Sequence, residues 1–192
     1  MFVINDRVQD STNIKPRVVL SAFIVIPFIL QSVLLLSGDI HQNPGPKATD
    51  LSICHCNIRS IRNSDKMDHI ACSLADQYKI ITLSETWLHS KSSVSHLSLS
   101  NFQQPFRRDR DNDAGYGGVL AWVANDIAAK RRKNLEIRNL EAMWLEVRVK
   151  NIKFLLCVAY RPPNDTNEFW DSFQQSIDLA KESDIDSLFY YR

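Results

Sequence analysis

From Leu51 onward the apolar positions fall into regular periods. Leu51, Ile53, His55 and Asn57 alternate with Ser52, Cys54 and Cys56, the two-residue period of a strand. Met67, Ile70, Ala71, Leu74, Ala75 and Tyr78 recur at offsets of three and four, which predicts a helix over Asp65–Tyr78 with Ser64 as its N-cap. Ile80 to Leu83 is a continuous apolar run, the mark of a strand covered on both faces, and it ends in Ser84-Glu85-Thr86. A strand–helix–strand unit of this kind yields parallel neighbours.

Lys91 to Phe106 is Ser-rich and aperiodic and reads as a surface loop. Gly115-Tyr116-Gly117-Gly118 turns into a strand over Val119–Val123. Met143, Leu145, Val147 and Val149 alternate inward, and Lys150-Asn151 turns into Ile152–Tyr160, predicting a hairpin that Arg161-Pro162-Pro163 stops. Asp165 and Glu168 resemble a capping box before a helix carrying Phe169, Phe173, Ile177 and Ala180 on one face. Ile185–Tyr191 reads as the start of another strand. Strands with crossover helices and an antiparallel hairpin suit an α/β sandwich, two sheets flanked by helices.

The N-terminal quarter has a different character. Residues 1–17 are polar and aperiodic and are expected to be disordered. Residues 18–36, Val18 to Leu36, contain no charge and approach the roughly 20 residues of a membrane-spanning helix. Lys15 and Arg17 precede this apolar helix as in an anchor or signal, and Pro27 within it is tolerated in lipid. Residues 37–47 form a Gly- and Pro-rich linker containing Asn43-Pro44-Gly45-Pro46, and residues 48–192 form the domain. A net charge of +1 excludes a wholesale basic nucleic-acid binder, so any such contact must be local. Cys54, Cys56, Cys72 and Cys157 have no framework spacing, which favours a reducing compartment.

Glu85 is the first chemical candidate, because an ionised carboxylate where a buried strand emerges calls for a cation or donor. A capping or salt-bridged loop Glu is the equal alternative on this segment alone. Cys54-His55-Cys56 is a poor zinc motif, since a strand sends His55 away from the two thiols. Asp111 and Asp113 resemble part of a calcium loop without its closing Glu. Lys130-Arg131-Arg132-Lys133 is the densest basic run, readable as an exposed loop or as a DNA-strand contact.

Four ordered motifs carry a family resemblance: His55-Cys56-Asn57-Ile58-Arg59-Ser60; Ser84-Glu85-Thr86-Trp87-Leu88; Arg107-Arg108-Asp109-Arg110 with Gly117-Gly118-Val119; and Ala159-Tyr160-Arg161-Pro162-Pro163. From Leu51 on, the chain resembles the endonuclease/exonuclease/phosphatase superfamily, and within it the apurinic-endonuclease-like domain of non-LTR retrotransposons. The resemblance implies a four-layered α/β sandwich and Mg²⁺-dependent nicking of DNA, with Mn²⁺ as an alternative ion and no small-molecule cofactor. It implies Glu85 as the metal ligand, Asn57 beside metal and phosphate, and Tyr160 as a hydroxyl donor to a phosphate oxygen. Arg59, Arg108 and Arg110 become candidate nucleic-acid contacts, with Asp109 orienting an arginine.

The family's later Gly-Asp-Phe-Asn-type and Ser-Asp-His-type segments do not occur. The expectation is therefore a domain truncated at about its first half, a one-sided sandwich without hydrolytic activity by itself. The alternatives are a membrane-anchored phosphatase of the same superfamily and a non-catalytic membrane- or nucleic-acid-binding fragment. Asp39-Ile40-x-x-Asn43-Pro44-Gly45-Pro46 further resembles the ribosome-skipping (2A-type) peptides, which would leave the Gly45–Pro46 bond unmade; His41 departs from that pattern. Skipping there implies a nuclear or cytoplasmic product, whereas insertion of Val18 to Leu36 implies a membrane location.

Overall fold

The computed structural model describes residues 2–4, 51–93, 95–110, 116–162, 168–183, 185 and 188–191. Within these, alternate side chains of each central strand enter different layers, and the layers follow from that alternation. The first sheet has the order β1 (Phe2–Ile4), β2 (Ile53–Asn57), β3 (Ile80–Ser84), β5 (Val119–Val123), β4 (Phe106–Arg108). The second has the order β6 (Ala128–Arg131), β7 (Ala142–Val149), β8 (Ile152–Ala159), β9 (Leu188–Tyr191). Helix α1 (Ser64–Ser73) joins β2 to its parallel neighbour β3, and α2 (Glu168–Lys181) joins β8 to its parallel neighbour β9.

Ile53, Ile80, Val119, Ala121 and Val123 of the first sheet pack against Met143, Leu145, Val147, Phe154, Leu156 and Val158 of the second. The intervening residues Cys54, Ile81, Leu83, Leu120 and Trp122 meet Met67 and Ile70 of α1 and Leu74 and Tyr78 just beyond it. Ala142, Trp144, Leu155, Cys157 and Ala159 meet Phe169, Phe173 and Ala180 of α2. The arrangement is helix, sheet, sheet, helix: four layers. Each fully buried aliphatic side chain contributes about 1.5–3 kcal/mol of hydrophobic stabilisation. A buried polar link in the α2 layer is satisfied, as Trp144 Nε1 donates to Ser176 Oγ at 2.7 Å and Ser176 donates to the Leu135 carbonyl at 2.5 Å.

Several expectations are corrected. The sandwich is not one-sided, because the hairpin β7–β8 brings a second sheet that covers the inner face of the first. Phe2–Ile4, expected to be disordered, pairs antiparallel with Ile53–His55 at the sheet edge. The N-cap of α1 is Asn63, whose side chain accepts from Asp65 N at 3.0 Å, and the helix ends at Ser73 before a series of turns. Lys91–Phe106 is no mere surface loop: Leu97, Leu99 and Phe102 are buried in the α1 layer. Part of the basic run is strand β6, and Arg131 and Arg132 are paired with Glu136 and Glu146. Among the described residues no helix is long and apolar enough to cross a membrane. Val18 to Leu36, Gly45, Pro46, Asp111, Asp113 and Asp165 lie outside the described residues.

Candidate functional site

Parallel strands deliver their C-terminal ends to one edge of a sheet, where loops are free to carry polar groups. Asn57, the last residue of β2, lies opposite Ser84, the last residue of β3, and Glu85 follows directly. Asn57 Nδ2 donates to Glu85 Oε1 at 2.8 Å, and Asn57 Oδ1 accepts from Arg59 N at 3.2 Å, so both ends of the carboxamide are fixed. Tyr160 arrives from the other sheet, one residue past β8, close enough to Glu85 for that carboxylate to act on its phenol. Burial raises the Tyr160 pKa, and the closeness of the Glu85 carboxylate, then that of Glu141, pushes it further in the same direction. The phenol is therefore held as a donor.

The strand exits are bent into unusual backbone. Arg59, Ser60, Glu85 and Trp87 have φ of 44°, 84°, 55° and 58°. Side chains rarely adopt this region, and such residues persist only when their surroundings over-determine them. Here they do: Ser60 N bonds to Glu85 O at 2.7 Å, Ile61 N to Thr86 O at 3.0 Å, and Trp87 N to Gly117 O at 2.8 Å. Gly118 has φ of 83°, and a Cβ there would sit 2.7 Å from Thr86 Oγ1, so the close approach requires glycine.

Glu141, which had no signal in the sequence, ties the loops together. Its carboxylate pairs with Arg110 and accepts from Gly118 N, while its carbonyl accepts from Tyr160 N at 2.8 Å. A lone acid before a strand is indistinguishable, in sequence, from a solvated surface residue. His55 lies on the same strand face as Asn57, between Thr82 Oγ1 at 3.0 Å and Ser84 Oγ at 3.3 Å, and burial lowers its pKa to about 4. It is a neutral structural ring beneath the site. Cys54 and Cys56 point the other way, into the α1 layer.

The arginines divide. Arg59 is exposed next to Asn57 and keeps a place at the site's rim. Arg108 is corrected from a nucleic-acid contact to an internal brace: it donates to the carbonyls of Ala142 and Ile137, each at 2.8 Å, and faces Glu136. Arg110 is near Tyr160 but neutralised by Glu141, so it is not a free phosphate grip. Asp109 orients Arg107, at 2.7 Å, rather than either candidate.

A group of three or more acidic, His or Cys side chains able to enclose a metal is absent among the described residues. The donors present nonetheless suit a hard cation. Mg²⁺ usually leans on one or two carboxylates, several waters and substrate phosphate, and Glu85 is an oxygen donor of that class beside an amide.

No protein-family model matches this sequence, and no curated protein does. Solved structures do resemble it. The endonuclease domain of TRAS1, a telomere-specific non-LTR retrotransposon, is similar with a TM-score of 0.51 at 15% identity, over 72% of this chain and 58% of that one. A humanized D. rerio TDP2 is similar with a TM-score of 0.50 at 14% identity, over 73% of this chain and 64% of that one. The chain thus spans less than two thirds of either structure's length. At such identities the likeness speaks to architecture, and it agrees with the layers described above: the chain has a fold of the endonuclease/exonuclease/phosphatase type.

Proposed function

We propose that this chain carries the metal- and phosphate-binding half of a Mg²⁺-dependent phosphodiesterase site of the nuclease type, acting on DNA. The observation that supports it most is the convergence of Asn57, Glu85 and Tyr160 from three strand ends on one carboxylate. The fold likeness to a domain named as an endonuclease adds to it. Glu85, with Asn57 alongside, is the group that would hold the ion, which when bound polarises a phosphate oxygen and stabilises charge on the leaving oxygen. Tyr160, kept protonated, donates to a non-bridging phosphate oxygen as charge accumulates there. Asn57 orients the Glu85 carboxylate and contributes an amide dipole. Among the described residues, the groups that could take a proton from water are committed elsewhere: Glu141 to Arg110 and Gly118, and His55 to Thr82 and Ser84. The chain by itself accordingly binds a phosphodiester without efficient turnover.

The test is fluorescence anisotropy of a labelled DNA oligonucleotide with and without Mg²⁺, alongside plasmid nicking. Mg²⁺-dependent binding that Glu85→Gln abolishes is the expected result. Binding indifferent to both metal and Glu85 would overturn the site, and nicking above a Glu85→Ala control would overturn the lack of turnover.

A further inference from the structure

Among the described residues two large apolar side chains are exposed, Ile152 at 41% and Tyr116 at 60%. Ile152 opens β8 beside the hairpin turn, at the end of the sandwich opposite Tyr160. Tyr116 stands at the site end. It directly precedes Gly117 and Gly118, whose carbonyls accept from Trp87 N and Thr86 N, the two residues after Glu85. Its ring meets Trp87 edge-on, with centroids 5.1 Å apart and planes at 73°.

Trp87 is a rigid support. Its backbone has φ of 58°, its N–H is bonded to Gly117 O, and its carbonyl accepts from Arg62 Nε at 2.5 Å. Its indole Nε1 is buried without a hydrogen-bond partner. An unmet buried donor is unfavourable, so the indole's place is fixed by packing rather than by hydrogen bonding. An edge-on contact engages the rim of one ring and leaves faces of the tyrosine open. The result is an aromatic surface set against Trp87 next to a carboxylate–phenol site, and among the described residues it stays largely exposed.

We infer that Tyr116 is a stacking platform for an unpaired nucleobase adjoining the bound phosphate, so that the chain prefers single-stranded or locally opened polynucleotide. This rests on the phosphodiester reading of the site and adds a specificity residue to it. Every nucleobase offers a flat face, so the platform is tolerant of sequence but requires a base. A sugar–phosphate backbone without bases has the same charge and nothing to stack.

The experiment compares anisotropy of labelled oligothymidylate with that of an abasic sugar–phosphate oligomer of equal length, in Mg²⁺, for the full chain and its Tyr116→Ala and Tyr116→Phe variants. Stacking of one base predicts that Tyr116→Ala weakens oligothymidylate binding about tenfold, that Tyr116→Phe stays within about twofold, and that neither alters binding of the abasic oligomer. Circular dichroism checks that the variants, changed at an exposed position, remain folded. Equal binding by wild type and Tyr116→Ala, or an equal loss on the abasic oligomer, overturns the platform. If binding is abolished by Glu85→Gln yet indifferent to Tyr116, only the platform falls. If the wild type binds neither oligomer, the phosphodiester reading falls with it.

Discussion

Replacing Arg108 by alanine separates an internal brace from a nucleic-acid contact. The guanidinium makes two bonds of 2.8 Å to the carbonyls of Ala142 and Ile137, and it lies 3.4 Å from Glu136. Bonds from a charged donor are worth about 1.5–3 kcal/mol each, so losing two gives roughly 3–6 kcal/mol. The lower end applies, because Glu136 retains Arg131 at 2.7 and 2.8 Å and is not left as an orphaned buried charge. About 3 kcal/mol, divided by a urea slope of about 1–3 kcal/mol per molar, lowers the midpoint of unfolding by roughly 1–3 M. Trp122 and Trp144 are fully buried, so intrinsic fluorescence reports the transition. Arg108→Lys, which keeps the charge but cannot span both carbonyls, falls between the two. A midpoint unchanged for Arg108→Ala, with weaker and less salt-sensitive DNA binding, would refute the brace and restore the phosphate role.

Three further outcomes are expected. Ser176→Ala leaves Trp144 Nε1 and the Leu135 carbonyl without their shared partner, costing about 1–3 kcal/mol, and thermal unfolding should show a fall of several degrees in Tm. His55, whose pKa falls from 6.5 to about 4 through burial, contributes stability that is whole above pH 6.5 and is lost as pH drops toward 4. Chemical denaturation across that window should show a slope that His55→Gln reduces. Tyr160, raised above the ordinary value of 10.0 by burial and by Glu85, contributes stability that is whole below pH 10 and declines as pH climbs past it. In an alkaline absorbance titration its ionisation should fall above the ordinary value of 10.0, and Tyr160→Phe should flatten the alkaline decline of stability.

The strands were legible where apolar residues had a period. Ile80–Leu83 needed no partner to declare itself a strand covered twice, and the β7–β8 hairpin followed from alternation about Lys150-Asn151. β6 was not legible, because Ala128–Arg131 is two alanines followed by two cations, with no apolar period, and owes its strand to pairing with β7. The Asn57–Glu85–Tyr160 grouping was expected from motif order, and the backbone bonds that hold it were not. Arg108 and Arg131 show the limit most plainly. A run of arginines displays charge, but whether a guanidinium meets solvent or a carbonyl depends on residues 24 to 34 positions away, which no local pattern records.

Two of the three converging groups ride on one sheet and the third on the other, with Glu141 as the bolt between them. A slip of a single residue along that interface, about 3.3 Å, would move the phenol out of reach of the carboxylate while leaving every strand intact. A loosened compact state that kept its secondary structure but lost the interleaving of Ile80, Val119, Leu145 and Leu156 would therefore retain all four motifs and possess no site. On the function proposed above, phosphate affinity would thus measure how tightly the two sheets are closed.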